Sequence, residues 1–145
     1  LMVAAQCNDD PEIITNLINK GAQVQAVDKY GETALIKAAA WTDNPEVVAR
    51  LVFHGARIDY RAADCGYTPL IVAAARNDNP EVVAEFVSQG ADVNQKIKSG
   101  LTPLTAAVKN NSNPEVVEEL LALGAEAEYE FSNNMQGSNF DCRTQ

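Results

Sequence analysis

The segment TDNPEVVARLVFHGARID at residues 42–59 decides the fold, because similar segments recur along the chain. Close copies stand at 77–94 (NDNPEVVAEFVSQGADVN) and 111–128 (NSNPEVVEELLALGAEAE), and a looser copy stands at 8–25 (NDDPEIITNLINKGAQVQ). Prolines, helix-ending glycines and turn glycines recur in step, at intervals of 34 or 35 residues. A fixed period of this length is typical of a solenoid, whose units bury their apolar faces by stacking on one another.

Each unit carries the start and stop signals of two helices. Asn44, Asn79 and Asn113 stand directly before a proline, as expected for a helix N-cap followed by Pro at the first helical position. Apolar residues follow at helical spacing, and a glycine ends the segment where a left-handed conformation is needed. A shorter helix begins at Thr-Pro-Leu in 68–70 and 102–104. The unit is therefore predicted to be helix, tight loop, helix and projecting turn.

The stretch GYTPLIVAAARNDNPEVVAEFVSQGADVN at 66–94 resembles an ankyrin repeat in its G-x-T-P-L opening, its double alanine, its V-V helix and its G-A-D-V-N ending. The resemblance implies an all-α solenoid of helix-loop-helix units with projecting β-turn or hairpin loops, and a non-catalytic function in protein–protein interaction. Ile36, Ile71 and Thr105 replace the family's usual histidine after T-P-L. We therefore expect the hydrogen bonds of that histidine between neighbouring loops to be missing.

The period divides the chain into a single ankyrin-repeat domain at 1–128 and a tail at 129–145. The domain comprises a partial repeat and three full repeats, at 1–27, 28–62, 63–96 and 97–128. Leu1 aligns with Leu35, so the first repeat lacks its opening turn and we expect further chain before it. The tail breaks the period, and we expect it to form a partial cap or to be disordered.

The composition argues against several classes of function. The net charge is −9, from 20 acidic and 11 basic side chains, whereas nucleic-acid binding rests on clustered Lys and Arg. No apolar run reaches the roughly 18 residues of a membrane span. Three cysteines are too few for a disulfide framework, and their odd number leaves at least one thiol free. We therefore expect a reducing, cytoplasmic compartment, and leave a secreted or periplasmic form open.

The sequence offers no pattern of catalytic, cofactor-binding or metal-binding residues. His54 is the only histidine, and neither Cys7 nor Cys65 is predicted to lie beside it as a nucleophile. A zinc site would need C-x-x-C spacing, which the cysteines lack. Glutamates such as Glu46 and Glu81 recur once per repeat at a helix N-terminus, which indicates a structural role. We predict a protein that is not an enzyme and has no cofactor or metal.

Candidate binding residues are those that vary between the copies, because positions that obey the period hold the stack together. By resemblance to the family they lie on the turn tips and the concave face. The predicted partner-binding residues are Tyr30, Glu32, Lys37, Trp41, Tyr67, Arg76, Lys98, Leu101 and Lys109. The hypothesised anchor cluster is Tyr30, Trp41, Tyr67 and Arg76, since these residue types are enriched at interface hot spots. Alternatively, Trp41 packs on the adjacent first helix and the tyrosines are ordinary turn residues.

Charge gives a hypothesis about the partner. Eight of the 11 basic residues lie in predicted turns or first helices, whereas the second helices are rich in glutamate. A concave side that is less acidic than the back could steer an acidic partner segment, although a solvated face of mixed charge is the alternative. We predict a monomer that binds another protein and neither nucleic acid nor membrane. The second hypothesis is a structural spacer within a longer repeat array, with binding done elsewhere.

Overall fold

A computed structural model describes residues 1–63 and 65–127 of the chain. Within these residues the chain forms eight α-helices: α1 (Met2–Cys7), α2 (Pro11–Asn19), α3 (Ala34–Trp41), α4 (Pro45–Phe53), α5 (Pro69–Arg76), α6 (Pro80–Ser88), α7 (Pro103–Asn110) and α8 (Pro114–Ala122). The described residues contain no strand, so the all-α prediction is confirmed. The predicted tail at 129–145 lies outside the described residues.

The helices form two layers. The odd-numbered helices contact one another in order along the stack, α1 with α3, α3 with α5 and α5 with α7, and the even-numbered helices do the same. Between the layers lie fully buried side chains such as Leu35, Leu51, Leu70 and Phe86. The odd-numbered helices meet through alanines, and small side chains at a helix contact permit a short distance between the axes. Stacking of the repeats therefore builds one continuous core.

The caps predicted from the sequence are confirmed. Each even-numbered helix has Pro at its start and an N-cap side chain that accepts from the backbone N–H of the following glutamate; these N-caps are Asp10, Asn44, Asn79 and Asn113. Helices α3, α5 and α7 are capped by Thr33, Thr68 and Thr102. The glycine after each even-numbered helix has a φ between 100° and 105°, at Gly21, Gly55, Gly90 and Gly124. These residues satisfy backbone groups at the helix ends through contacts that are short-range in sequence.

A connecting segment that contains a tight turn leads from each even-numbered helix to the next projecting turn, and its residues alternate between the stack and the solvent. In the second segment, Ile58 and Tyr60 are partly buried, whereas Arg57, Asp59 and Arg61 are exposed. The same alternation holds in the segments at 22–30 and 91–98. One side of each segment therefore packs on the stack, and the other side is available to solvent.

The turns differ in length. The Asp28 N–H donates to the Glu32 carbonyl at 3.0 Å, and the Ile97 N–H donates to the Leu101 carbonyl at 3.1 Å. The middle turn is one residue longer, because the Ala62 N–H donates to the Tyr67 carbonyl at 2.9 Å. The extra residue of the 35-residue interval therefore lies in this middle turn.

Asparagine amides join the inter-helix loops of successive repeats. The buried Asn77 Nδ2 donates to the Ala39 carbonyl at 3.0 Å and to the Thr42 carbonyl at 2.7 Å. Asn111 repeats this arrangement one unit later, with the Ala74 carbonyl at 2.9 Å and the Asn77 carbonyl at 2.8 Å. The buried loop carbonyls thus have partners supplied by the next repeat.

The N-cap asparagines also bond across the repeats. Their Nδ2 groups donate to the loop carbonyl of the preceding unit, at 2.7 Å from Asn44, 2.9 Å from Asn79 and 2.7 Å from Asn113. We call the set Asn44, Asn77, Asn79, Asn111 and Asn113 the asparagine ladder. Each of its amides donates toward the N-terminal neighbour, so the asparagine ladder has one direction along the stack.

The positions of the family's histidine carry no side chain that bridges the loops. Ile36 and Ile71 are buried apolar side chains, at 2% and 0% exposure. Thr105 forms a capping box with Thr102 inside its own repeat. This arrangement agrees with the expected loss of the histidine hydrogen bonds, and the asparagine ladder joins the repeats at a different loop.

Candidate partner-binding surface

Eight of the nine predicted partner-binding residues fall into two groups at opposite ends of the odd-numbered helices, and Lys37 lies within α3. The turn group flanks the turn glycines and consists of Tyr30, Glu32, Tyr67, Lys98 and Leu101. The helix-end group lies in the last turn of α3, α5 and α7 and consists of Trp41, Arg76 and Lys109. An eight-residue helix is about 12 Å long, so the hypothesised anchor cluster is divided between two areas about that far apart.

Trp41 is the most exposed of the four predicted anchors. Its exposure bears on whether the side chain can meet a partner or packs on the adjacent first helix. Its side chain is 56% exposed at the last residue of α3. Cys7, Arg76 and Asn110 hold the same place in α1, α5 and α7, and Cys7 and Asn110 are exposed as well. This exposure indicates that the Trp41 side chain is accessible to a partner and is not fully packed on the adjacent helix. The role of Trp41 in binding stays a prediction.

The tyrosines of the turn group are less accessible than Trp41. Tyr67 is partly buried and packs against the core. Tyr30 is also partly buried, and the Lys29 ammonium lies 5.0 Å from the centre of its ring. Tyr60, which was not predicted, donates its hydroxyl to the Gly31 carbonyl at 2.9 Å and so braces the first turn from the segment that leads to the second turn. Tyr30 and Tyr67 therefore both make contacts within the protein, whether or not they also contact a partner.

Lys37 and Glu32 contact each other instead of projecting toward solvent. The Lys37 ammonium donates to the Glu32 carboxylate and lies 3.1 Å from the Asp28 carboxylate, and the three side chains are 16%, 17% and 23% exposed. The other Asp28 oxygen accepts from the backbone N–H groups of Tyr30 and Glu32, each at 2.9 Å. We call Asp28, Glu32 and Lys37 the turn triad. The turn triad fastens the first turn to α3.

The turn triad shifts two pKa values. Burial by itself would raise the pKa of Asp28, but hydrogen bonds from the Glu32 amide, the Lys37 ammonium and the Tyr30 amide outweigh it and hold this pKa below its usual value. Burial would likewise lower the pKa of Lys37, but the hydrogen bonds to Glu32 and Asp28 outweigh it and raise this pKa. Both shifts favour the charged forms, so the turn triad is an ion-paired cluster at neutral pH.

The remaining predicted residues differ in exposure. Lys98 is exposed at the last described turn, whereas Leu101 is partly buried and packs against the core. Arg76 and Lys109 are partly buried on α5 and α7. Of the turn group, Lys98 is thus the side chain best placed to meet a partner.

Two charged surfaces lie at opposite ends of the repeats. The basic turn surface consists of the exposed residues Val27, Lys29, Arg61, Ala63, Lys96 and Lys98. The acidic loop edge consists of the exposed residues Asp9, Asp10, Glu12, Asp43, Glu46, Asp78, Glu81 and Glu115. The described part of the chain is therefore polarised, with cations concentrated on the solvent side of the turns and carboxylates concentrated around the inter-helix loops.

The described residues do not bring together three His, Cys, Asp or Glu side chains that could hold a metal ion. The ring of His54 meets Phe53 edge to face, with centroids 5.2 Å apart. Cys7 is exposed and free, so the prediction of at least one free thiol is confirmed. Cys65 is disulfide-bonded, and this bond was not predicted from the sequence. The compartment itself stays a prediction.

A family model described as ankyrin repeats (3 copies) matches residues 1–97 and 40–132. The chain belongs to the ankyrin-repeat family. Ankyrin repeats are generally protein–protein interaction modules and are typically non-catalytic. No curated protein matches the chain. Among the helices of the described residues, none has the length and apolar character needed to cross a membrane.

Proposed function

We propose that this chain is a non-catalytic interaction module that binds a partner protein through the turn tips and the concave face, meaning the face formed by the odd-numbered helices. The observation that carries the proposal is the 56% exposure of Trp41 at a position where the four repeats differ. Trp offers a large contact area and is among the residues most enriched at interface hot spots. A partner that covers Trp41 would remove this apolar surface from water.

The contrast with the second exposed aromatic residue supports this placement. Phe53 is 83% exposed at the end of α4, in the layer of even-numbered helices. Trp41 and Phe53 therefore mark opposite layers of the same repeat. Since both side chains are largely outside the core, removing either one tests binding without a large change in stability.

The experiment immobilises the chain and captures proteins from a lysate of the source cells. Three forms are compared: the wild type, Trp41→Ala, and Phe53→Ala as a matched control that also removes an exposed aromatic side chain. Equal melting temperatures confirm that all three are folded. We expect one or more proteins to be retained by the wild type and by Phe53→Ala, and to be lost with Trp41→Ala.

A partner that Trp41→Ala retains and Phe53→Ala loses would move the interface to the even-numbered helices and contradict the proposal. A partner retained equally by all three forms would exclude Trp41 as an anchor. Either result would leave the chain a binding module with a different surface.

The structural spacer is the second candidate function. Apolar side chains are exposed in the first and last described repeats, with Val3 of α1 at 74%, Val108 of α7 at 44% and Leu121 of α8 at 48%. Further repeats stacked on these units would cover such surface. Failure of all three forms to capture any protein, at matched concentrations, would support the spacer over the interaction module.

A further inference from the structure

We infer that the partner segment is acidic and lies in an extended conformation across the basic turn surface, along the direction in which the repeats stack. This inference rests on the proposed function and names the chemistry of the partner. It goes beyond the family relationship because the residues concerned are those in which the repeats of this chain differ. The argument depends on the register, the exposure and the pairing of the charges in the turns.

The register of the repeats places the cations in two adjacent rows. Val27, Arg61 and Lys96 hold the same position in three successive connecting segments, two residues before Lys29, Ala63 and Lys98. All six are exposed, four are basic, and none is acidic. Stacked helices lie about 10 Å apart, so Lys29 and Lys98, two repeats apart, are separated by about 20 Å. About six residues of extended chain would cover this distance.

Three of the described carboxylates in the turns and their connecting segments have cationic partners. Asp28 and Glu32 bind Lys37 within the turn triad. Asp59 lies 3.6 Å from the Arg57 guanidinium. Neutralisation by these neighbours reduces the competition that such carboxylates would offer to an acidic ligand.

Asp92 is an exposed carboxylate in the same connecting segment as Lys96, four residues before it. The Gln95 N–H donates to the Asp92 carbonyl at 3.2 Å, so residues 92–95 form a turn that brings Asp92 closer to Lys96 than an extended chain would. The six positions of the basic turn surface carry four basic side chains and no acidic one, so a short segment lying on them meets mainly cations. Carboxylates are the side chains that complement them.

A short peptide fits this surface better than a nucleic acid does. The chain has a net charge of −9, and the acidic loop edge presents carboxylates at the opposite end of the same repeats. Duplex DNA carries a charge about every 1.7 Å, and its length would extend far beyond four cations. A segment of a few acidic residues meets the cations alone, because salt screens the acidic loop edge from it.

The test selects a display library of random peptides of about 12 residues, roughly twice the length needed to cross the basic turn surface. The wild-type chain is the target, and the enriched peptides are sequenced and titrated. We expect acidic peptides whose affinity falls as the salt concentration rises, since screening weakens exposed charge pairs. Arg61→Glu should weaken their binding about tenfold, because it replaces an attraction with a repulsion.

Lys20→Glu is the matched control. Lys20 is an exposed lysine at the end of α2, outside the basic turn surface, and its replacement makes the same change in net charge. It should change the affinity less than about twofold. Equal losses from Arg61→Glu and Lys20→Glu would show that net charge alone drives the binding, and would overturn the inference.

Three further outcomes overturn the inference, and they are distinguishable from failure of the proposed function. Neutral or basic peptides that bind the wild type but not Trp41→Ala would exclude an acidic partner segment. They would still support the proposed binding through the concave face. The inference of an acidic partner segment would also be excluded if no peptide were enriched. Tighter binding of a single-stranded DNA oligonucleotide than of acidic peptides would exclude it as well. Acidic peptides lost with Arg61→Glu and retained by Trp41→Ala would sustain the inference and exclude Trp41 as an anchor.

Discussion

The two ends of the repeats are held together in different ways. At the inter-helix loops, the N-cap asparagines of the asparagine ladder use the same amide-to-carbonyl bond in each of the three full repeats. At the turns, each contact is used once: the turn triad in the first turn, the Tyr60 hydroxyl between turns, and Asn94 with Gly124 and Glu126 in the last segment. The loop end is a uniform scaffold, whereas the turn end is individually braced and free to differ in sequence.

The largest effect is expected in the asparagine ladder. Asn77→Ala removes the donor to two loop carbonyls and the acceptor of the Asn79 N–H, at a side chain that is 5% exposed. Unpartnered buried polar groups are costly, so the free energy of unfolding should fall by about 3 kcal/mol. Urea unfolding monitored by helical circular dichroism measures it.

The control for Asn77→Ala is Asn16→Ala, at an exposed asparagine in the middle of α2. Because Ala has a higher helix propensity than Asn, this change should be neutral or slightly stabilising. Asn77→Asp keeps the acceptor and loses the donor, so it should be at least as harmful as Asn77→Ala. A milder effect of Asn77→Asp would contradict the assigned donor role.

The second effect compares two turns. Gly31 has a φ of 74°, and a Cβ there would lie 2.9 Å from the Ala63 Cβ and 3.0 Å from the Ala63 backbone N. Gly100 has a φ of 87° with nothing within 4 Å of an added Cβ. Left-handed strain of about 1 kcal/mol applies to both alanine variants, and the clash should add about 1 kcal/mol to Gly31→Ala alone. Equal losses of unfolding free energy would show that the turns do not touch in solution.

The third effect concerns the turn triad. Lys37→Met keeps the length of the side chain and leaves Asp28 and Glu32 without their cation. We expect a loss of about 1–2 kcal/mol at neutral pH, between the values for exposed and buried pairs. Lys98→Met is the control, because Lys98 is exposed and is not part of the turn triad. Equal stabilities of Lys37→Met and the wild type would show that the turn triad does not fasten the turn.

The pH dependence has a definite sign. Because the pKa of Asp28 is lowered in the folded state, its contribution is present above its ordinary value of 3.8 and is lost as the pH falls through the lower folded value. Because the pKa of Lys37 is raised, its contribution is present below 10.5 and is lost as the pH rises through the higher folded value. The difference in stability between wild type and Lys37→Met should therefore be widest between these limits and shrink in acid and in strong base.

The smallest effect on stability is expected at the exposed aromatic residues. Trp41→Ala and Phe53→Ala should each change the free energy of unfolding by less than about 0.5 kcal/mol, as is usual for surface positions. Urea unfolding of both variants checks this. A large loss with Trp41→Ala would mean that Trp41 packs on the neighbouring helix, and would restore the structural alternative.

The starts and ends of the helices were predictable from the sequence because they depend on residues close together in the chain. The N-caps, the prolines after them and the glycines with positive φ each act within a few residues, and all were placed correctly. The stack of helix pairs followed from the period, and the family from the resemblance of residues 66–94 to an ankyrin repeat. The inter-repeat role of Asn77 and Asn111 was missed, although both stand two residues before an Asn-Pro pair, which is a signal that recurs with the period.

The candidate site was predictable only as a set of positions. Variation between repeats identified Trp41, whose exposure depends on how far α3 and its neighbours cover the ring. The pairing of Lys37 with Glu32 could not be found in the same way, because it depends on the path of the turn in three dimensions. A position that varies between repeats can bind a partner or brace its own turn, and sequence alone does not separate these two uses.

The direction of the asparagine ladder has a consequence for changes in chain length. The third and fourth units each bring their own asparagine donors and bond to carbonyls of the unit before, so duplicating or deleting the period between Asn77 and Asn111 restores these bonds at the new junction. Adding one residue to an inter-helix loop would instead shift the amides away from their acceptors. The turn end already accommodates such an addition in the longer closure from Ala62 to Tyr67. Insertions should therefore be tolerated one residue at a time in the turns, but only as complete repeats across the loops.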